Sequence, residues 1–324
     1  MKAIVIDRYG TPDVLRFAEV ETPVPGDDEV LVRVRASSVN PYDWHYLTGL
    51  PKLFRPAFGG LRRPKYHILG ADLSGHVEAI GKDVTRFRPG DEVYGQTAAG
   101  AYAEYAAVAE AELALKPANL TFEQSAAVPL AGFTALQAIR DKAKVQPAQK
   151  VLINGASGGV GTLAVQITKS FGAEVTGVCS TTNVDMVRSI GADHVIDYTR
   201  DDFTAGPQRY HLLLDNIGNR SLSEYRRILE RKATYLASFG QPENEWLGPL
   251  WFLARMALLS PFVGQKLTTF TARPTTEDLH TLTALIEAGT LAPVVDRAYP
   301  LHEVPDAFRY VGQGHARGKV VITI

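Results

Sequence analysis

The run Val151-Leu152-Ile153-Asn154-Gly155-Ala156-Ser157-Gly158-Gly159-Val160-Gly161 passes from a strand pattern straight into a glycine-rich turn and then an apolar-periodic helix. From Ala156 to Gly161 the spacing is A-x-G-x-x-G. Backbone without Cβ atoms can come close to a pyrophosphate, and the N–H groups opening the next helix point at its charge. Glycine turns also join strands to helices for packing alone, so the neighbouring pattern decides the reading. After a helix over 162–171, Gly172 suits the left-handed position that ends helices, and 174–179 reads as a second strand. A helix over 186–190 stops at Gly191, and 194–198 reads as a third strand. A further strand at 212–215 runs into Asn216-Ile217-Gly218. This alternation implies an α/β fold with a right-handed, doubly wound parallel sheet of the Rossmann kind.

The end of the second strand bears on the cofactor. An NAD enzyme usually places Asp or Glu there, against the ribose 2′-hydroxyl. Here the residues are Cys179-Ser180-Thr181-Thr182-Asn183. Hydroxyl and amide donors suit a 2′-phosphate that a carboxylate would repel, so NADPH is expected. Asp185 weighs against this, and Arg188 is either a phosphate partner or part of a solvated helix face. The 324 residues suggest two domains. With 34 basic and 35 acidic residues, net charge −1, no nucleic-acid partner is expected. A single cysteine, Cys179, excludes an internal disulfide and a cysteine-rich zinc site. Residues 1–6 read as a strand rather than a leader, so a cytoplasmic location is expected.

Upstream of the turn, short strand patterns at 30–34, 75–80, 92–94 and 101–108 are separated by Pro and Gly, the mark of a β-rich unit. Its centre, from Leu69-Gly70-Ala71-Asp72 through Gly81 to Pro89-Gly90-Asp91-Glu92-Val93, joins the glycine turn and the ending Ala316-Arg317-Gly318-Lys319-Val320-Val321-Ile322. Together these resemble the medium-chain dehydrogenase/reductase superfamily over essentially the whole chain. The resemblance implies a GroES-like β-barrel catalytic domain over 1–118, completed by 265–324, with a Rossmann NADP-binding domain inserted at 119–264. Thr121 as N-cap and Gln124 at N3 open a helix, and a second helix from Gly132 to about Ala143 links the domains.

Where zinc-dependent members carry ligands, this chain has Asn40, Ala71, Asp72 and Ala131, and the four-cysteine lobe expected near 95–110 is replaced by Thr97-Ala98-Ala99-Gly100-Ala101-Tyr102. Zinc takes three or four thiolate, imidazole or carboxylate ligands, so a zinc alcohol dehydrogenase is excluded. The chain is similar to the zinc-free, quinone oxidoreductase-like branch, which includes zeta-crystallin-type and alkenal/one oxidoreductases. The similarity lies in Asn40-Pro41-Tyr42-Asp43, in Cys179-Ser180-Thr181 with Asn183, and in the stretch from Gly191 to Tyr198. By that resemblance Ser157, Gly158, Gly159 and Val160 hold the pyrophosphate, with Thr134 nearby. Ser180, Thr181 and Asn183 bind the 2′-phosphate, and Tyr198 lies against it or the adenine. Asn216, Ile217 and Phe239 border the nicotinamide, while Lys319 and Arg317 close on the cofactor.

The chemistry expected is hydride delivery from NADPH to a quinone or an α,β-unsaturated carbonyl, a small apolar electrophile. A donor is wanted where the oxygen gains charge. Asn40 can donate through its amide, and His45 or Tyr46 can donate a proton directly or through water. The alternative for His45 is an exposed loop imidazole, and Asp43 is expected to orient the loop. Two stretches carry competing readings. The basic stretch at 50–65 is either a lid gripping a polar or anionic substrate or a solvated loop. The apolar stretch at 246–263 is read as a helix over the cleft. The alternatives are a subunit interface and a peripheral membrane contact. A homodimer is expected from the resemblance. Two other functions stay open: an NADPH-binding sensor or structural partner without turnover, and an enoyl thioester reductase.

Overall fold

A computed structural model describes residues 1–238 and 250–324, with side chains described throughout these except at 57, 58, 250 and 251. An antiparallel ribbon, β1 (Lys2–Val5) with β2 (Arg16–Glu19), precedes β3 (Glu29–Ser38), the strand around which the first sheet is built. Asn40 then caps α1 (Pro41–Thr48), whose first position is a proline; Asp43 Oδ2 accepts the Asn40 N–H at 2.9 Å. Gly49, at φ +60°, ends the helix in the left-handed conformation that glycine adopts without penalty. A short α2 (Arg55–Phe58) lies in the basic stretch. The strands β4 (Asp72–Ile80), β5 (Glu92–Gln96), β6 (Tyr105–Ala109) and β7 (Leu113–Leu115) follow.

Thr121 and Gln124 exchange the two hydrogen bonds of a capping box at the start of α3 (Phe122–Ala126), as the sequence predicts. The linking helix α4 (Pro129–Gln137) starts three residues before the expected Gly132 and continues as a π-helical turn over Ala138–Ala143. Next come β8 (Lys150–Asn154), α5 (Gly159–Ser170), β9 (Glu174–Cys179), α6 (Val184–Ser189), β10 (His194–Asp197), β11 (Tyr210–Asp215), α7 (Leu222–Arg227) and β12 (Leu229–Ala237). After α8 (Leu250–Leu259) and β13 (Lys266–Thr269), α9 (Thr276–Glu287) leads to β14 (Val295–Pro300), α10 (Val304–Gly312) and β15 (Lys319–Thr323).

The six later strands form one parallel sheet in the order β10-β9-β8-β11-β12-β13. This is the 3-2-1-4-5-6 order of a doubly wound dinucleotide fold, whose crevice opens at the strand ends where the order reverses, here between β8 and β11. Both faces of that sheet are covered: Val151 and Ile153 of β8 join one apolar cluster, Leu152 the other, and all three are 0% exposed. The first sheet runs β14-β15-β3-β4-β5-β7, with β6 also paired to β3, so the C-terminal strands complete a sheet begun by the N-terminal ones.

The boundary expected at residue 264 falls in the wrong place. β13 is the sixth strand of the parallel sheet, and Leu279, Leu282 and Ile286 of α9 join the apolar cluster on one face of it. The chain returns to the first sheet only at β14. Lys-Leu-Thr-Thr is too short and polar to announce a strand; only Leu267 of it is buried. α9 also ties the units together. Tyr94 on β5 donates to Leu279 O at 3.0 Å, and Asp278 binds Gln137 of α4 at 2.7 Å and Arg140 at 2.7 Å.

Candidate active site

The glycine turn stands at the end of β8. Gly155 has φ +79°, the left-handed conformation that favours glycine, and a Cβ there would meet Ile217 Cδ1 at 2.8 Å, so the two strand-end loops lie in contact. A Cβ on Gly161 would lie 2.0 Å from Gly155 O, which seats α5 against its own turn. Gly158 is the N-cap of α5 and brings no side chain to the N–H groups of the first turn. Those groups make an anion site at the mouth of the crevice.

Two buried acceptors beside the turn lack partners: Asn183 Oδ1 and Asn216 Oδ1. Such atoms are costly unless something supplies a donor. Asn183 Nδ2 reaches Ser157 Oγ at 3.3 Å and Ser180 Oγ at 3.2 Å, which draws the first and second strand ends together. Asn216 Nδ2 donates to Asn154 O at 3.1 Å. Its loop is shaped by buried Asp215, whose Oδ1 accepts from Ile217 N at 3.1 Å, Gly218 N at 3.0 Å and Asn154 Nδ2 at 2.8 Å. Tyr235 donates to the other oxygen of Asp215 at 2.8 Å. A glycine cradle with orphaned acceptors at both ends fits a dinucleotide carrying ribose hydroxyls and an amide.

At the adenosine end the carboxylate thought absent comes from β10. Thr181 Oγ1 donates to Asp197 Oδ2 at 2.5 Å and meets Thr199 Oγ1 at 2.9 Å. The Thr181 hydroxyl, with the Thr199 groups, holds Asp197 below the usual carboxylate range, so it is ionised at neutral pH. The Thr181 proton is thereby committed. The pocket beside Thr181 is lined by Arg188 and Arg200 and by Asp185, Asp197 and Asp201, with Arg188 3.7 Å from Asp185; the Ser180 and Thr182 hydroxyls meet at 3.3 Å, and Tyr198 is half-exposed. Thr134 bonds back to Leu130 O at 2.8 Å in its own helix. Arg317 is exposed, its N–H on Asp296 at 3.0 Å. Phe239 lies outside the described residues, as does 246–249 of the apolar stretch.

Opposite the turn, the barrel presents a buried polar cluster that sequence reasoning missed. Asp72, 0% exposed, accepts Leu130 N on Oδ1 at 3.0 Å; on Oδ2 it accepts Ser38 Oγ at 2.9 Å and Asn40 Nδ2 at 3.0 Å. The Lys319 ammonium approaches Oδ2 at 3.4 Å, Val39 O at 3.4 Å and Asn40 Oδ1 more closely. Asn40 spends its second amide hydrogen on Ser38 O at 3.3 Å. Both of its donors are taken inside the protein, so the amide expected at the substrate oxygen instead faces the cluster. Lys319 likewise points its ammonium into the barrel. Burial lowers its pKa, opposed by Asp72 and Asp43. Burial, then the charge of Asp72, pushes Asp43 up to about 7, against the pull of the Asn40 N–H. The residues at the usual zinc-ligand positions thus form one carboxylate and one amide bound to an ammonium. Among the described residues no group of three or more His, Cys, Asp or Glu is arranged so that it could hold a metal ion.

His45 Nδ1 lies 2.8 Å from Leu50 O, which only a protonated Nδ1 can satisfy. Burial holds the imidazole below its ordinary pKa, so at neutral pH it is uncharged and Nε2 is an acceptor. As a proton donor it is therefore poorly placed. The Tyr46 ring lies between those of Tyr42 at 4.8 Å and Tyr66 at 5.4 Å, centroid to centroid, tilted 46° and 45° to them. In the basic stretch, Arg55 is engaged with Gly49 O, Leu61 O and the Tyr9 ring, and Lys65 lies over Tyr66 at 4.9 Å. On the far side, Met256 of α8 is buried while Leu258 and Phe262 are 69% and 85% exposed. Among the described residues no helix is long and apolar enough to cross a membrane.

A split, mostly antiparallel sheet joined to the crevice of a dinucleotide fold defines a nicotinamide-dependent oxidoreductase. Residues 26–118 match the alcohol dehydrogenase GroES-like domain, and 190–322 match the zinc-binding dehydrogenase model. The mitochondrial NAD(P)H oxidoreductase RTN4IP1 of Bos taurus is 33% identical over 100% of this chain and 89% of its own. The chloroplastic NADPH-dependent alkenal/one oxidoreductase of Arabidopsis thaliana is 32% identical over 99% of this chain and 79% of its own. The solved quinone oxidoreductase from Coxiella burnetii superposes with a TM-score of 0.86, at 29% identity over 100% of this chain and 99% of that one. The chain belongs to the medium-chain dehydrogenase/reductase superfamily, in its zinc-free, quinone oxidoreductase-like branch.

Proposed function

We propose that the protein uses NADPH to reduce small, apolar, electron-poor acceptors, namely quinones or α,β-unsaturated carbonyls such as alkenals and enones. The observation that carries this is the Asp72–Asn40–Lys319 cluster. With the ligand positions bonded to one another, the chain offers no Lewis acid to hold an alkoxide, so the acceptor must already be activated. Bound in the crevice, the reduced nicotinamide supplies the hydride.

The chain's own groups bind, orient and shield. The N–H groups around Ser157, Gly158, Gly159 and Val160 take the pyrophosphate, and Asn183 Oδ1 and Asn216 Oδ1 take hydroxyl or amide donors. The tilted Tyr42, Tyr46 and Tyr66 rings offer an aromatic surface for an apolar acceptor. Neutral His45 accepts rather than donates, which leaves the Tyr46 hydroxyl or solvent as the proton source. NADPH over NADH is supported by Ser180, Thr182, Tyr198, Arg188 and Arg200, and opposed by Asp185, Asp197 and Asp201, which line the same pocket as the two arginines. A cytoplasmic homodimer is the accompanying proposal, with Leu258 and Phe262 as its apolar contact; cell fractionation and light scattering test the two parts. The function itself is tested by NADPH and NADH oxidation against a benzoquinone, a naphthoquinone, an alkenal, a bulky enone and an enoyl-CoA. Turnover with quinones or enones at a preference for NADPH is expected. Tight NADPH binding without turnover on any acceptor would favour a sensor or structural partner, and turnover on the enoyl-CoA alone would make the protein an enoyl thioester reductase.

A further inference from the structure

Lys319 touches both walls of the cleft with different parts of one side chain. It follows Gly318, whose N–H donates to Ser157 O at 2.7 Å and which forms an isolated parallel bridge with Gly158. Its stem lies on the glycine turn: a Cβ added at Gly159 would sit 2.8 Å from Lys319 Cδ. The head leaves that turn and enters the barrel, where Asn40 Oδ1, Val39 O and Asp72 Oδ2 take the three N–H bonds an ammonium has. The residue is only 5% exposed. Asn40 is the N-cap of α1, the helix that carries Tyr42, His45 and Tyr46. Asp72 also accepts the Leu130 N–H in the first turn of α4. One salt-bridged side chain therefore joins the pyrophosphate turn, the acceptor-side helix and the interdomain helix.

We propose that Lys319, held by Asp72, is a positioning residue that couples the occupied cofactor turn to α1. The stem registers the state of the turn, and the head transmits it to the helix N-terminus. The acceptor wall of Tyr42 and Tyr46 is thereby firm when cofactor is seated. Placing α1 on the acceptor side rests on the function proposed above; the coupling itself does not.

Lys319→Met keeps an unbranched stem and removes the head, which separates the two contacts. Hydrogen exchange of the full-length protein, with and without NADPH, reads the coupling without turnover. In the wild type, NADPH is expected to slow exchange both at 155–161 and at 41–48. In Lys319→Met the protection at 155–161 remains and that at 41–48 falls at least threefold. Removing one member of a buried pair strands the other, so the variant is paired with Lys319→Met/Asp72→Asn, in which no unpaired carboxylate is left; should the single variant not fold, the double one decides. Unchanged protection of 41–48 in the folded variant, or none in the wild type, overturns the proposal. So does a loss of NADPH affinity of tenfold or more in Lys319→Met, which would put the ammonium on the cofactor's phosphates. In steady state, kcat is expected to fall at least tenfold with the NADPH KM within threefold, and an unchanged kcat overturns the acceptor-side role. If the wild type fails to oxidise NADPH with any acceptor of the panel, the proposed function fails, and the exchange experiment alone decides the coupling.

Discussion

Gly158 and Gly161 stand three residues apart in one turn, yet the structure gives them different tasks. A Cβ at Gly158 meets nothing closer than Gly155 O at 3.6 Å, and the backbone there, φ −84° and ψ 178°, suits any residue. Its methyl would project where the cofactor must approach. A Cβ at Gly161 falls 2.0 Å from Gly155 O and 2.8 Å from Ala156 Cα, both backbone atoms that cannot turn aside. Real Cβ contacts do not come below 3.0 Å, so α5 must move away from the turn by about an ångström. Overpacking of this kind costs about 3 kcal/mol. At roughly 2–4 °C per kcal/mol, Gly161→Ala should melt some 6–12 °C below the wild type. Gly158→Ala should melt close to the wild-type temperature, because the narrower unfolded ensemble of alanine offsets its poorer N-capping. Its NADPH dissociation constant should rise at least tenfold, or about 1.4 kcal/mol. Differential scanning fluorimetry and a fluorescence titration with NADPH read both quantities on the same preparations. Wild-type affinity in Gly158→Ala, or an unshifted melt in Gly161→Ala, would refute the assignment of roles.

Ser180→Asp places a second carboxylate beside Asp197 at the adenosine end, so the affinity for NADPH should fall at least tenfold while that for NADH is little changed; equal losses would remove Ser180 from the phosphate site. His45 has a folded-state pKa below its unfolded value, so between the two the unfolded chain holds more protons and stability rises with pH. Its contribution is full above about pH 6.5 and is lost as pH falls, and His45→Gln should flatten that slope in urea melts taken downward from about pH 6.5. Tyr94→Phe removes the hydroxyl that bonds α9 at Leu279 O and Thr283, and should cost about 1 kcal/mol with kcat unchanged; an altered kcat would mean that this contact also sets the cleft geometry.

Much of this protein can be read before folding. The glycine turn, the first three strands of the parallel sheet and the capping box at Thr121 are local signals, because each depends on residues close in sequence. α5 begins at Gly159 rather than Thr162, since the turn's own glycines belong to the helix. α1 was legible but unread: Asn40, Pro41 and Asp43 stand at N-cap, N1 and N3, a helix-start signature. Asp72 and Lys319 carry no such sign. Their bond spans 247 positions and exists only because β4 and β15 both flank β3. For the same reason, the Asp197 carboxylate was missed at the adenosine end. It reaches Thr181 by the pairing of β10 with β9, which the local run Ser180–Asn183 does not reveal.

The most direct test of the central claim follows the hydride itself. The protein would be incubated with an enone and with NADPH deuterated at either transferable position of the nicotinamide, and the product analysed by mass spectrometry and NMR. Deuterium at the β-carbon of the reduced enone, from one of the two labelled cofactors and not the other, is the predicted result. Label found in neither product, or NADPH left unoxidised with enones and quinones alike, would contradict the account.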